Sequence, residues 1–100
     1  MCDQANNAIY FSREPIPTRN KGHHELAKKQ VCVIPFRRNA LLKFNDMKQT
    51  PLEIVESIDM LRFIENGVKV RMRMTNHESY SVDTEADLKK VELLLSKKEF

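Results

Sequence analysis

The sequence predicts an α/β chain in which strands alternate with helices and the opening half of the sheet has no counterpart. Three observations carry that expectation: a continuous apolar run within residues 29–36 (KQVCVIPF), a strict alternation of apolar and basic residues over 68–74, and two helical segments that open at Thr50 and Thr84. A continuous run fits a strand buried on both faces, and alternation fits a strand with one wet face. Their order with the helices is that of a layered α/β domain. One hundred residues form one small domain at most, so residues 1–100 are read as a single partial domain.

Taken in order, Ala8-Ile9-Tyr10-Phe11 is short, apolar and rich in strand formers. It runs into Ser12-Arg13-Glu14-Pro15-Ile16-Pro17, where two prolines rule out a continuing helix or central strand. Asn20 to Gly22 read as a loop, and His23 to Lys29 as a loose stretch or short helix. The apolar strand of 29–36 follows, and Asn39 is expected to cap a short helix through Leu41, Leu42 and Phe44.

Thr50-Pro51-Leu52-Glu53 is a strong helix start, with a capping hydroxyl, proline in the first turn and Glu53 three residues after Thr50. The helix is expected to reach about Asn66, where Gly67 offers the left-handed stop. Ile54, Val55, Ile58 and Leu61 then form one apolar face; Leu52, Met60, Phe63 and Ile64 form a second, with Glu56 set within it. A helix apolar on two sides must be covered on two sides, which points to a partner surface. Val68, Val70, Met72 and Met74 alternate with Lys69, Arg71 and Arg73 as a half-buried strand. The last helix, from Glu85 to about Lys97, is expected to bury Leu88, Val91, Leu94 and Leu95.

Composition removes several function classes. The formal charge is +3, but seventeen basic and fourteen acidic residues are interspersed rather than gathered in a block. No nucleic-acid-reading signature is visible, so no nucleic-acid partner is expected. No apolar run is long enough for a bilayer, and no secretory leader pattern opens the sequence, so a cytoplasmic setting without membrane contact is expected. Cys2 and Cys32 form no Cys-x-x-Cys pair, which leaves no zinc or redox motif. Adjacent His23 and His24 diverge in any regular element and share a metal poorly. Cys32 is expected to pack as a small hydrophobe, and His77-Glu78 to form a turn.

The stretch of greatest chemical interest is Ser81-Val82-Asp83-Thr84-Glu85-Ala86-Asp87-Leu88. It places a carboxylate where an extended segment ends and a helix begins, the side on which open α/β sheets bind ligands. Asp83 or Thr84 can cap the helix, with Asp87 reaching back to complete a box.

Read together, these segments resemble the C-terminal part of the CMP-Kdo synthetases, the 3-deoxy-manno-octulosonate cytidylyltransferases. Residues 10–17 (YFSREPIP) are similar to the family's YFSR-x-PIP signature, and Gln30 to Arg37 to its HxGIYxYR strand. Residues 50–62 resemble its SPLE…LEQLR helix, and 81–88 its GVDTPEDL segment. The resemblance implies the C-terminal portion of a nucleotide-diphospho-sugar transferase-like, Rossmann-like sheet with flanking helices. It also implies transfer of CMP from CTP to a Kdo-like sugar acid with pyrophosphate release, for lipopolysaccharide or surface-glycan synthesis. By the same resemblance Asp83 is a magnesium carboxylate, and Arg13, Gln30 and Asp59 are substrate-binding residues. The chain is expected to homodimerise and to meet sugar acid and CTP only when an N-terminal half completes it.

The departures bear on the sugar pocket. Gln30 stands where the family has histidine, Ile34 where it has tyrosine, and Asp59-Met60 where it has Glu-Gln. Gln30 still hydrogen-bonds but carries no charge. Gly22 and Gly67 are the only glycines, so the glycine-rich phosphate loop that binds CTP has no match, and no complete catalytic set is expected in these residues. The competing expectation is a non-catalytic dimerisation or regulatory module derived from the same fold.

Overall fold

Helices, not strands, dominate the ordered elements of the computed structural model, which describes residues 1–18, 20 and 26–97. They are α1 (Arg38–Asp46), α2 (Pro51–Glu56), α3 (Leu61–Glu65) and α4 (Glu85–Ser96). The expectation at His23 and His24 lies outside the described residues.

No sheet forms among the described residues, which corrects the expected strands. Two isolated antiparallel bridges, Cys2 with Ala8 and Asn7 with Arg71, are what remains of them. The Ala8 N–H donates to the Val70 carbonyl at 2.8 Å and the Met72 N–H to the Asn6 carbonyl at 2.7 Å, so the first and last extended segments do meet. Residues 29–36 form no strand pairing among the described residues; instead the Val33 N–H turns back to the Val31 carbonyl at 2.8 Å. A strand apolar on both faces needs neighbours on both edges and layers on both faces, and the described residues supply neither. Val33 is accordingly 80% exposed, and Cys32 is exposed rather than packed.

The expected helix from Thr50 to Asn66 is broken. Ser57 takes a left-handed conformation at φ 55°, ψ 45° and ends α2, and the chain restarts at Leu61. The periodicity was continuous, but serine favours local backbone bonding over helix interiors, and the break lets α3 fold back on α2. The two apolar faces therefore do not line up: Leu61 and Phe63 are buried, while Ile54 and Val55 are exposed. Gly67 does adopt the left-handed stop, at φ 71°. Asn39 lies inside α1 rather than capping it; Arg37 holds the cap position without a side-chain bond.

The core is small. Phe11, Met60, Leu61 and Phe63 are buried, with Tyr10, Phe36, Phe44, Ile58, Val68 and Val70 among the residues packed around them. Phe36, Phe44 and Phe63 form a ring cluster with centroids 5.1–6.2 Å apart and tilted planes, the arrangement aromatic quadrupoles favour. The α4 helix stands apart from this core, with none of its residues buried and Leu88, Leu93 and Leu95 exposed. A radius of gyration of 16.2 Å, against about 13 Å for a compact domain of this length, reflects that separation. No helix among the described residues is long and apolar enough to cross a membrane.

Candidate functional site

A buried ion pair fixes the ground on which the site stands. Glu53, 2% exposed, receives Arg62 in a two-point fork, Nη2 to Oε1 at 2.6 Å and Nε to Oε2 at 2.9 Å. Glu53 Oε2 also accepts the Thr50 N–H at 3.2 Å, closing that half of the capping box. The Thr50 hydroxyl is buried and unbonded among the described residues. Arg62 Nη1 donates to the Phe44 and Met47 carbonyls at 3.2 and 3.4 Å, and the guanidinium lies 4.1 Å from the Phe44 ring centroid. The Arg62 hydrogen bond is the main reason the Glu53 carboxyl sits below the ordinary glutamate range. One pair thus joins α1, α2 and α3.

Beside this frame lies a cleft of about 400 Å³, within the range of small-ligand sites. Arg13 and Gln30 both line it, although seventeen positions separate them in sequence. Lys28 and Lys29 add positive charge, Glu14 is its one acid among the described residues, and Phe11, Ile16 and Ile58 supply apolar wall. Three cationic side chains against one carboxylate favour an anionic ligand.

The other two expected residues stand outside this cleft. Asp59 is exposed and adjoins Ile58, which lines the wall where Asp59 does not. Asp83 is exposed immediately before α4, and its carboxylate accepts no hydrogen bond among the described residues. Capping falls to Thr84: its hydroxyl accepts the Asp87 N–H at 3.1 Å, and Asp87 Oδ2 accepts the Thr84 N–H at 3.1 Å and the Asp83 N–H at 3.2 Å. The Asp83 amide, then the Thr84 side chain, hold the Asp87 carboxyl below its usual range. With the cap supplied by its neighbours, the Asp83 side chain is left free for other work. A second hollow of about 160 Å³ includes Ser81, Asp87 and Lys29 in its lining. Lys29 belongs to both hollows, so the cleft adjoins the start of α4.

No cluster of three or more His, Cys, Asp or Glu side chains suited to a metal exists among the described residues. Asp83 offers one exposed carboxylate, and a magnesium ion held there would need water and substrate phosphate for the rest of its shell.

A sequence profile described as Cytidylyltransferase matches residues 1–93. The chain belongs to the cytidylyltransferase family. Among curated relatives, it is 36% identical to a 3-deoxy-manno-octulosonate cytidylyltransferase of Fusobacterium nucleatum, over 91% of this chain and 37% of that protein. Proteins of the same description from Geobacter metallireducens and Rickettsia prowazekii are 40% and 43% identical, over 95% and 88% of this chain. They are matched over 42% and 34% of their own lengths, in the C-terminal part. This cytidylyltransferase chain thus spans roughly two fifths of the relatives it matches. The family carries an α/β nucleotide-sugar transferase fold, whose sheet is not formed among the described residues.

The sequence did not single out Lys28 or Lys29 as cleft residues, nor Glu56 and Ser57 as the hydrogen-bond partners of Arg13. A signal existed for Glu56, an acid set within an apolar helical face. Lys28 and Lys29 read as an ordinary charged pair, because the cleft that they border arises only from tertiary packing.

Proposed function

We propose that this chain is the sugar-acid-binding part of a cytidylyltransferase that activates a 3-deoxy sugar acid with CTP. The observation that carries the reading is the convergence of Arg13 and Gln30 on one cationic cleft. The planar fork of Arg13 suits a carboxylate, and the Gln30 amide suits sugar hydroxyls. In the reaction the anomeric oxygen bonds to the α-phosphorus of CTP, the bond to the pyrophosphate oxygen breaks, and the hydroxyl proton leaves to solvent. Magnesium, when bound, supplies neutralisation of phosphate charge. Asp83 is the residue of this chain that would hold it, while Arg13 and Gln30 orient the sugar acid and Asp59 borders that site. The glycine-rich nucleotide loop and the remaining carboxylate must come from an N-terminal half. A cytoplasmic homodimer serving lipopolysaccharide or surface-glycan synthesis is the setting we infer.

Isothermal titration tests this directly. Because Arg13 and Gln30 already share one cleft, the isolated chain is expected, unlike in the sequence reading, to bind 3-deoxy-manno-octulosonate by itself, and to show no heat with magnesium and CTP, which bind once an N-terminal half is supplied. Dimerisation with no sugar-acid heat under either condition would favour the non-catalytic module instead.

A further inference from the structure

Arg13 is an exposed side chain, yet three hydrogen bonds tie its residue to the end of α2. Its backbone N–H donates to Glu56 Oε2 at 2.6 Å, its Nε to the Glu56 carbonyl at 2.8 Å, and its Nη2 to the Ser57 carbonyl at 2.6 Å. A guanidinium holds five N–H donors in a rigid plane, and the two carbonyls take two of them. What remains is three N–H groups that donate to no acceptor among the described residues, two of them on the Nη1–Nη2 edge. That edge has the spacing for a two-point bond to a carboxylate.

The geometry depends on a local departure from helix. Had α2 continued, the Glu56 and Ser57 carbonyls would have been directed along its axis to later amides. The left-handed turn at Ser57 ends the helix and frees both for Arg13. Glu56 then fastens the backbone of residue 13 itself, so the loop that carries the arginine is held as well as its side chain.

We propose that Glu56 is a positioning residue for Arg13: with the Ser57 turn it latches the loop of residues 12–17 to α2 and leaves the Nη1–Nη2 edge for the sugar-acid carboxylate. The proposal rests on the substrate reading above. A latched arginine has surrendered its rotamer freedom before the ligand arrives, so binding does not have to impose that order. Glu56 itself touches no substrate in this account.

Two readouts on the full chain separate the latch from the substrate. In nitrogen-15 spectra, the Arg13 Nε–H is expected to exchange with water at least about tenfold more slowly than that of exposed Arg37. Glu56→Ala is expected to weaken 3-deoxy-manno-octulosonate binding about tenfold with unchanged far-UV circular dichroism. Glu56→Gln, whose amide oxygen still accepts the Arg13 N–H, is expected to stay within about threefold of wild type. Should Glu56→Ala fail to fold, Glu56→Asp replaces it; its shorter acid falls short of residue 13, and the same weakening is expected. Arg13 exchanging as fast as Arg37, or an alanine or aspartate variant that binds the sugar acid like wild type, would overturn the latch. A protected Arg13 in a wild-type chain that binds no sugar acid would instead sink the substrate reading, and the positioning role with it.

Discussion

Glu53→Ala is expected to lower the unfolding free energy by about 3–5 kcal/mol, the range for breaking a buried, hydrogen-bonded ion pair from one side. The change removes both acceptors of the Arg62 fork and the partner of the Thr50 amide in one step. Arg62 is mostly enclosed and cannot recover full hydration, and the start of α2 loses its cap. Few buried residues stand in reserve, and small domains seldom exceed about 5–15 kcal/mol in all. The double variant Glu53→Leu with Arg62→Met is expected to recover much of the loss, because apolar side chains of similar volume need no mutual charge. Urea unfolding followed by circular dichroism measures both. A loss of under about 1 kcal/mol for Glu53→Ala would mean the pair is solvated after all.

The same pair sets an acid limit. Arg62 holds the Glu53 carboxyl below its ordinary range, so the folded state binds that proton less readily than the unfolded chain. Its contribution is complete above the unfolded glutamate value of about 4.3 and disappears as pH falls through the lower folded value. Glu53→Gln is expected to flatten that part of the stability profile.

Asp83→Asn is expected to reduce turnover of a completed enzyme at least about 100-fold, beyond what loss of an outer-shell partner costs a metal site. The fold gives a reason to expect this without collapse of structure. Thr84 and Asp87 cap α4 between them, so the Asp83 side chain can change while the helix start is kept. Unchanged circular dichroism, together with weaker magnesium-dependent CTP binding, would place the defect at the metal. Turnover within about threefold of wild type would remove Asp83 from the chemistry.

Local signals in this sequence were legible where the physics is local. The Thr84–Asp87 box, the Glu53 half of the box at Thr50, the proline at the start of α2 and the Gly67 stop depend on neighbours a few residues away, and these occur; the Thr50 hydroxyl, expected to cap, makes no bond among the described residues. Apolar alternation over 68–74 marked a half-buried segment, and Val68, Val70 and Met72 do face the core. Strand pairing was not legible, because it depends on partners that residues 29–36 do not find among the described residues. Nor was the break at Ser57: an unbroken apolar period hid it, and only the fold-back of α3 on α2 favours it. The convergence of Arg13 and Gln30 on one cleft likewise follows from packing, although the family resemblance named both residues in advance, together with Asp59, which does not line it. Leu88 and Leu95, expected in the core, remain exposed, because α4 meets no apolar layer among the described residues.

Pyrophosphate release from CTP and 3-deoxy-manno-octulosonate with magnesium is the most direct measurement. It is made on this chain alone and on the chain mixed with the N-terminal part of the Fusobacterium nucleatum relative. If these residues supply one side of a shared active site, the chain alone releases none and the mixture turns over in proportion to the amount of chain added. Release by the chain alone, or none from a mixture whose two parts demonstrably associate, would contradict it.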